Sequence, residues 1–308
     1  MPKSARLLSE KSVRTLVAGD LEAVFLPGHG MLGASLRHCG TELLRRVEDL
    51  DAEAATRSTA GIPLLHPWAN RLGGPGYRAA GRDVILDPAS PLLDLDAHGL
   101  PIHGVPWPLL AWDVTDARTD RLAARLDWSR ADLLAVFPYP HRLELVATLG
   151  LDGLTLETTL TAGAGGPVPV SFGFHPYLGI PDLPRAQWRL TLPAMQRLTL
   201  DARGIPTGDE APLAAQDAPL AAREFDDGFA LSGEHASLSI AGAGRRIAVE
   251  FLAGYRYAQV YAPPGRDFVA LEPMTAPTNA LASGRGLRVV PAEGQFRATF
   301  RIRVDALR

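Results

Sequence analysis

The sequence predicts an all-β protein built from stacked antiparallel sheets, and three observations carry that prediction. Short segments alternate apolar and polar residues with period two, turn residues are spread along the whole chain, and long amphipathic helical patterns are missing. The alternation is clear at 143–149, where Leu143, Leu145, Ala147 and Leu149 interleave with Glu144, Val146 and Thr148. It resumes at 154–160 after the turn signal Asp152-Gly153, so the two read as a hairpin. Segments 246–251, 256–262, 268–271, 287–290 and 295–304 behave alike, and FRATFRIRV keeps period two throughout.

Turn chemistry is supplied by 30 Gly and 26 Pro, dispersed rather than gathered into a linker. Two short pieces have helical character: 41–50, after the break at Gly40, and the Ala-rich 212–223, which is interrupted by proline. Neither supports a helical bundle. The 308 residues show no repeat and no composition shift, so a single large domain spanning 1–308 is expected.

Composition narrows the function. A formal charge of -3, with no Lys/Arg block, argues against a nucleic-acid or anionic-membrane partner. The single cysteine, Cys39, excludes an intrachain disulfide framework and any cysteine-rich metal site. The first twenty residues interleave basic and acidic side chains without an apolar core of signal-peptide length, and no apolar run reaches ~18 residues. A cytoplasmic protein that acts on a small molecule, as monomer or homodimer, is the expectation.

Four segments break the strand pattern with chemistry that turns do not require. GIPLLHPWANRLGGPGY presents Trp68, Asn70 and Arg71 from a Pro/Gly-stiffened loop. These can hold a sugar by stacking and hydrogen bonding, or Trp68 can fill the core while Arg71 binds carbonyls. HGLPIHGVPW places His98 and His103 in a Gly/Pro turn; lacking a carboxylate at ligand spacing they make a poor metal site, so no metal is expected. His103 is then a neutral donor to a hydroxyl or a structural residue. PVSFGFHPYLGIP surrounds His175 with apolar and aromatic residues, where burial and a neighbouring carboxylate pull its pKa in opposite directions. In FVALEPMTAPTNAL, Glu272 closes an apolar strand, so it either has a salt-bridge partner or lies in a cleft as a base.

Taken together, GIPLLHPWANRL, PIHG, SFGFHPYL and LEPMTAPTNAL, in that order, resemble the aldose 1-epimerase (galactose mutarotase) family over most of the chain. The resemblance implies a large antiparallel β-supersandwich and a cofactor-independent exchange of sugar anomers. It further implies His175 as catalytic acid, Glu272 as catalytic base, and Arg71, His103 and Asn70 as substrate-binding residues. The family's substrate-binding aspartate falls on Asp226 or its neighbour Asp227, within a Phe-Asp-Asp-Gly-Phe segment that departs from the family pattern. His66 stands where the family commonly carries an aromatic. Alternatives are a hexose-phosphate mutarotase using Arg78 or Arg82, and a non-catalytic sugar-binding protein.

Overall fold

The computed structural model describes residues 13–45, 60–181 and 183–307. The architecture is all-β and dominated by two antiparallel sheets. The larger has nine strands in the order Asp113–Ala117, Arg121–Trp128, His141–Gly150, Gly153–Ala162, Gln295–Ala306, Arg245–Ala253, Ala236–Gly242, Arg189–Leu192 and Gln216–Pro219. The second has eight strands. It runs Pro206–Leu213, Met195–Leu200, Phe225–Leu231, Tyr257–Ala262, Val269–Met274, Gly173–Phe174 and Leu64–Leu65, with Tyr177–Leu178 also pairing to Val269–Met274. A four-stranded sheet is formed by Arg14–Ala18, Leu21–Leu26, Leu32–His38 and Thr41–Glu42. The α-helices among the described residues are short, Ala131–Val136 and Ala280–Ser283, and none there is long and apolar enough to cross a membrane.

Period two explains the nine-stranded sheet. In His141–Gly150 burial alternates strictly, sending Leu143, Leu145, Ala147 and Leu149 to the core, and Gln295–Ala306 buries Ala298, Phe300, Ile302 and Val304 in the same way. The expected hairpin forms, with Leu143 opposite Leu160 and Leu149 opposite Leu154. Its turn is one residue earlier than the sequence suggests: Gly150 pairs with Gly153, leaving Leu151 and Asp152 as the loop. Gly153 already belongs to the strand because it is paired on its other side with Arg303.

The two large sheets share one core. Phe174 of the eight-stranded sheet meets Phe300 of the nine-stranded sheet with ring centroids 5.0 Å apart, and Tyr255 packs edge-on against Phe300 and Phe172. Truncating an aromatic of this kind to Ala costs roughly 3–5 kcal/mol. Such packing fixes the sheet from which the candidate site is built.

The helical expectation is corrected at residues 41–45 and at 212–223. Thr41 and Glu42 pair with His38 and Arg37, and the Glu42 carboxylate accepts from Leu36 N and Leu44 N, which holds the chain extended; residues 46–50 lie outside the described residues. The Ala-rich 212–223 forms edge strands instead. Gln216–Pro219 pairs with Arg189–Leu192, and the Arg223 guanidinium binds the carbonyls of Ala218 and Pro219, so sheet pairing outweighs alanine's helix preference.

Candidate active site

Sheet register brings together the residues that the sequence keeps apart. Gly173 pairs with Met274 and Tyr177 with Ala270, so position 175 faces position 272 across the ladder. His175 leaves the ladder there and donates its backbone N–H to Pro63 O. Its Nε2 lies 3.2 Å from Glu272 Oε1, and both side chains are buried. The strand bearing Glu272 continues to Met274, two residues beyond the end expected from the sequence.

The electrostatics of this pair follow from burial. Desolvation, reinforced by His103, lowers the His175 pKa well below 6.5. Desolvation and the Asp226 carboxylate raise Glu272 well above 4.5, against the opposing pull of Arg71. Burial disfavours charge on both groups, so this 3.2 Å contact favours a neutral imidazole beside a protonated carboxyl over an ion pair. Among the described residues, His175 Nδ1 and Glu272 Oε2 are buried without a hydrogen-bond partner. Buried polar atoms of that kind call for a ligand that can satisfy them.

Glu272 lies within a polar face of the sheet. Gln259 is its cross-strand partner, and Gln259 Nε2 donates to Asp226 Oδ1 at 2.7 Å. Tyr261, two residues along the same strand, sets its ring against His175 at 5.9 Å, and Tyr177 stacks on His175 at 4.1 Å. Asp226 also lies 3.8 Å from Arg71 Nη2, whereas Asp227 points to the other face and approaches Arg197 at 3.5 Å. Of the two aspartates, Asp226 is the one on the His175–Glu272 side.

Arg71 is held from three directions. Its Nε donates to Asp96 Oδ2 at 2.8 Å, its Nη1 donates to Asn70 Oδ1 at 3.1 Å, and its backbone carbonyl accepts from Asn279 N. Burial alone would raise the Asp96 pKa, but hydrogen bonds from Leu100, Arg71 and His98 carry it below the ordinary value, so it stays a carboxylate. Asn70, at φ 57, accepts from Arg71 through its side chain and from His103 N through its backbone carbonyl. Its amide nitrogen is the part left for a ligand. His103 sets its ring edge-on to His175 at 5.6 Å, and burial with the Arg71 charge lowers its pKa to about 3, so it is a neutral imidazole. Trp68 does not stack on a ligand. Its ring is 1% exposed within the core.

Residues 22–303 match the model of the aldose 1-epimerase family. The chain belongs to that family. It is 26% identical over 299 residues to the uncharacterized protein YihR of Escherichia coli K12, covering 94% of this chain and 92% of that protein. Its fold superposes on a galactose mutarotase-like protein from Clostridium acetobutylicum with a TM-score of 0.84, at 17% identity over 95% of both chains. An aldose epimerase homologue from C. elegans matches with a TM-score of 0.80 at 14% identity, covering 96% of this chain and 99% of that one. The supersandwich expected from the sequence is thus the fold observed, and the family implies a sugar ligand.

Within this aldose 1-epimerase family member, sequence reasoning overlooked Gln259, Asp96, Tyr177 and Tyr261. Gln259 had a signal: it is a polar residue between Tyr257 and Tyr261 on the face of a period-two strand opposite Ala258, Val260 and Ala262. Asp96 had one as well, in the Asp-Ala-His-Gly turn where its side chain accepts from His98 N and Leu100 N. Arg78 pairs with Asp83 and Arg82 lies over the Tyr139 ring, partners outside the His175–Glu272 cluster, so a phosphate-binding role for them gains no support. Replacing Asp96 by Asn should free the Arg71 guanidinium and raise KM about tenfold with kcat little changed, a split that steady-state kinetics will read.

His66 lies within a core cluster of Trp128, Phe137, His141 and Phe172. His141 Nδ1–H donates to Tyr139 O, so His141 Nε2 accepts and His66 Nε2–H donates to it at 3.0 Å. His66 therefore fills an aromatic position in the core and does not face the site. Desolvation keeps both imidazoles neutral, with His141 lowered to about 4 and His66 lowered well below 6.5.

Those depressed values give stability a pH dependence. As pH falls below 6.5 the unfolded chain protonates His66, His103, His141 and His175 while the fold resists, to about 4 at His141 and about 3 at His103. The unfolded state binds more protons in that window, so stability is full above 6.5 and declines as pH falls. Glu272 works in the opposite sense, its raised pKa making stability fall as pH rises above 4.5. With four groups against one, urea midpoints should drop between about pH 7.5 and pH 5. A flat midpoint would show that these imidazoles are not buried neutral.

Proposed function

We propose that this protein is an aldose 1-epimerase that interconverts the α and β anomers of a reducing sugar, with Glu272 as base and His175 as acid. The observation that supports this reading best is the buried His175–Glu272 pair, with Nε2 and Oε1 3.2 Å apart. Anomer exchange needs one group to take a proton and another to give one at the same time. A carboxyl–imidazole pair supplies both.

The reaction uses the ionised arrangement of the pair, reached when the proton moves from Glu272 to His175, with Arg71 favouring the carboxylate. Glu272 takes the proton of the anomeric hydroxyl, C1–O1 becomes a carbonyl, the C1–O5 bond breaks, and O5 receives the His175 proton. Rotation about C1–C2 presents the other face of the aldehyde. On reclosure O5 attacks C1 and returns its proton to His175, while O1 recovers the proton held by Glu272. Each proton transfer is worth roughly 10²–10⁴-fold in rate. Arg71, neutral His103, Asn70 and Asp226 hold the sugar hydroxyls around the reacting carbon, and no cofactor enters this proton balance.

The test is the optical-rotation decay of freshly dissolved α-glucose or α-galactose. Acceleration over buffer at catalytic protein concentration supports the reading. Sugar binding with a decay equal to buffer would favour a non-catalytic sugar-binding protein.

A further inference from the structure

A histidine that moves protons through one ring nitrogen is commonly held in plane by a hydrogen bond at the other. His175 lacks that brace. Its Nε2 faces Glu272 Oε1 at 3.2 Å, whereas its Nδ1 is buried with no hydrogen-bond partner among the described residues. One polar contact fixes a point on the ring and leaves its plane to be set by packing. His103 and Tyr261 meet the imidazole edge-on, at 87° and 73°, with centroids 5.6 and 5.9 Å away. Tyr177 covers a face of it, with centroids 4.1 Å apart and planes 19° apart.

Sequence and pairing both build this stack. His175-Pro176-Tyr177 sets the two rings at i and i+2, on one side of an extended chain, and Pro176 biases His175 toward the extended backbone that the alignment needs. Tyr177 is itself held firmly. Its backbone N–H donates to Gly61 O, its carbonyl accepts from Arg45 N, and it pairs with Ala270 on the strand that carries Glu272. Phe268 meets its ring edge-on at 5.0 Å, and the Arg45 guanidinium lies 5.9 Å from its centroid. Stack and carboxyl are thus registered on one strand.

We propose that Tyr177 is a positioning residue for the proton transfer: its ring, in place of a hydrogen bond at Nδ1, holds the His175 imidazole in the plane that keeps Nε2 directed at Glu272 and the sugar. This role rests on the anomer-exchange reading of His175 as acid. Steady-state mutarotation of α-glucose and α-galactose is measured in Tyr177→Leu, which keeps apolar bulk without a flat face, and in Tyr177→Phe, which keeps the face. Tyr177→Leu should lower kcat about tenfold with KM within about twofold, and Tyr177→Phe should stay within about twofold of the wild type in both. A raised KM with kcat unchanged, no loss in Tyr177→Leu, or an equal loss in Tyr177→Phe would overturn the proposal. Should Tyr177→Leu not fold, Phe268→Leu removes the ring that braces Tyr177 and should lower kcat about threefold at unchanged KM; an unchanged kcat there would overturn it as well.

If the wild type accelerates no sugar, the anomer-exchange reading fails while the stack is still tested. Carbon-13 relaxation of the His175 Cδ2–H group, assigned by its loss in His175→Asn, reads the mobility of the ring. Its order parameter should be about 0.85 in the wild type and Tyr177→Phe and below about 0.6 in Tyr177→Leu. Equal values in the wild type and Tyr177→Leu would show that the stack does not hold the ring.

Discussion

Replacing Glu272 by Gln is expected to slow anomer exchange by about 10²–10⁴-fold, the worth of a positioned general base. The substitution preserves size, and a carboxamide can still donate to His175 Nε2 across the present 3.2 Å contact. It also removes a carboxyl whose ionisation burial opposes, so the urea midpoint should hold or rise. Rate is lost without loss of fold. His175→Asn should give a loss of similar size, and the double variant should be little worse than the more severe single one, because the two residues act as a unit. Multiplicative losses would mean that they work independently.

The largest effect on stability is expected from Gly104→Ala. Gly104 has φ +70, and an added Cβ would fall 2.3 Å from His66 O and 2.7 Å from Pro67 N, both backbone atoms that cannot swing aside. The same turn is pinned by Val105 N donating to His66 O and His103 N donating to Asn70 O. Positive-φ strain of about 1–3 kcal/mol adds to overpacking of about 1–3 kcal/mol, for a total of roughly 2–6 kcal/mol. Gly99→Ala is the control: φ is +71, but nothing lies within 4 Å of the added carbon, so its cost should stay near 1 kcal/mol. Urea unfolding of both variants reads the difference, and equal costs would remove steric contact as the cause. Since the turn carries His103, surviving Gly104→Ala protein should also show a raised KM.

Period two made most strands legible in the sequence, because a strand with one face in a core must alternate. The hairpin of 143–149 with 154–160 was legible from the same alternation and the turn signal between them. The strand Gln216–Pro219 within the alanine-rich 212–223 was not legible: the segment's helix propensity is local, whereas the ladder with Arg189–Leu192 that makes it a strand is not. The site divides in the same way. Its four segments stood out by composition, yet the opposition of His175 and Glu272 comes from the pairing of two remote strands, and a single sequence carries no register between them. Gln259 and Asp96 were missed because each acts through another residue, Asp226 in one case and Arg71 in the other. Trp68 and His66 show the converse, residues of sugar-binding type that the core has taken.

The central claim is that His175 and Glu272 pass protons to and from the anomeric hydroxyl and ring oxygen of one sugar. Magnetisation exchange between the α and β anomeric proton signals of a reducing sugar at equilibrium reads that event directly, without net chemical change. Exchange accelerated by the wild type and reduced to near the buffer rate in both Glu272→Gln and His175→Asn is the expected result. Exchange at the buffer rate with the folded wild type, for monosaccharides and disaccharides alike, or acceleration that survives in both variants, would contradict it.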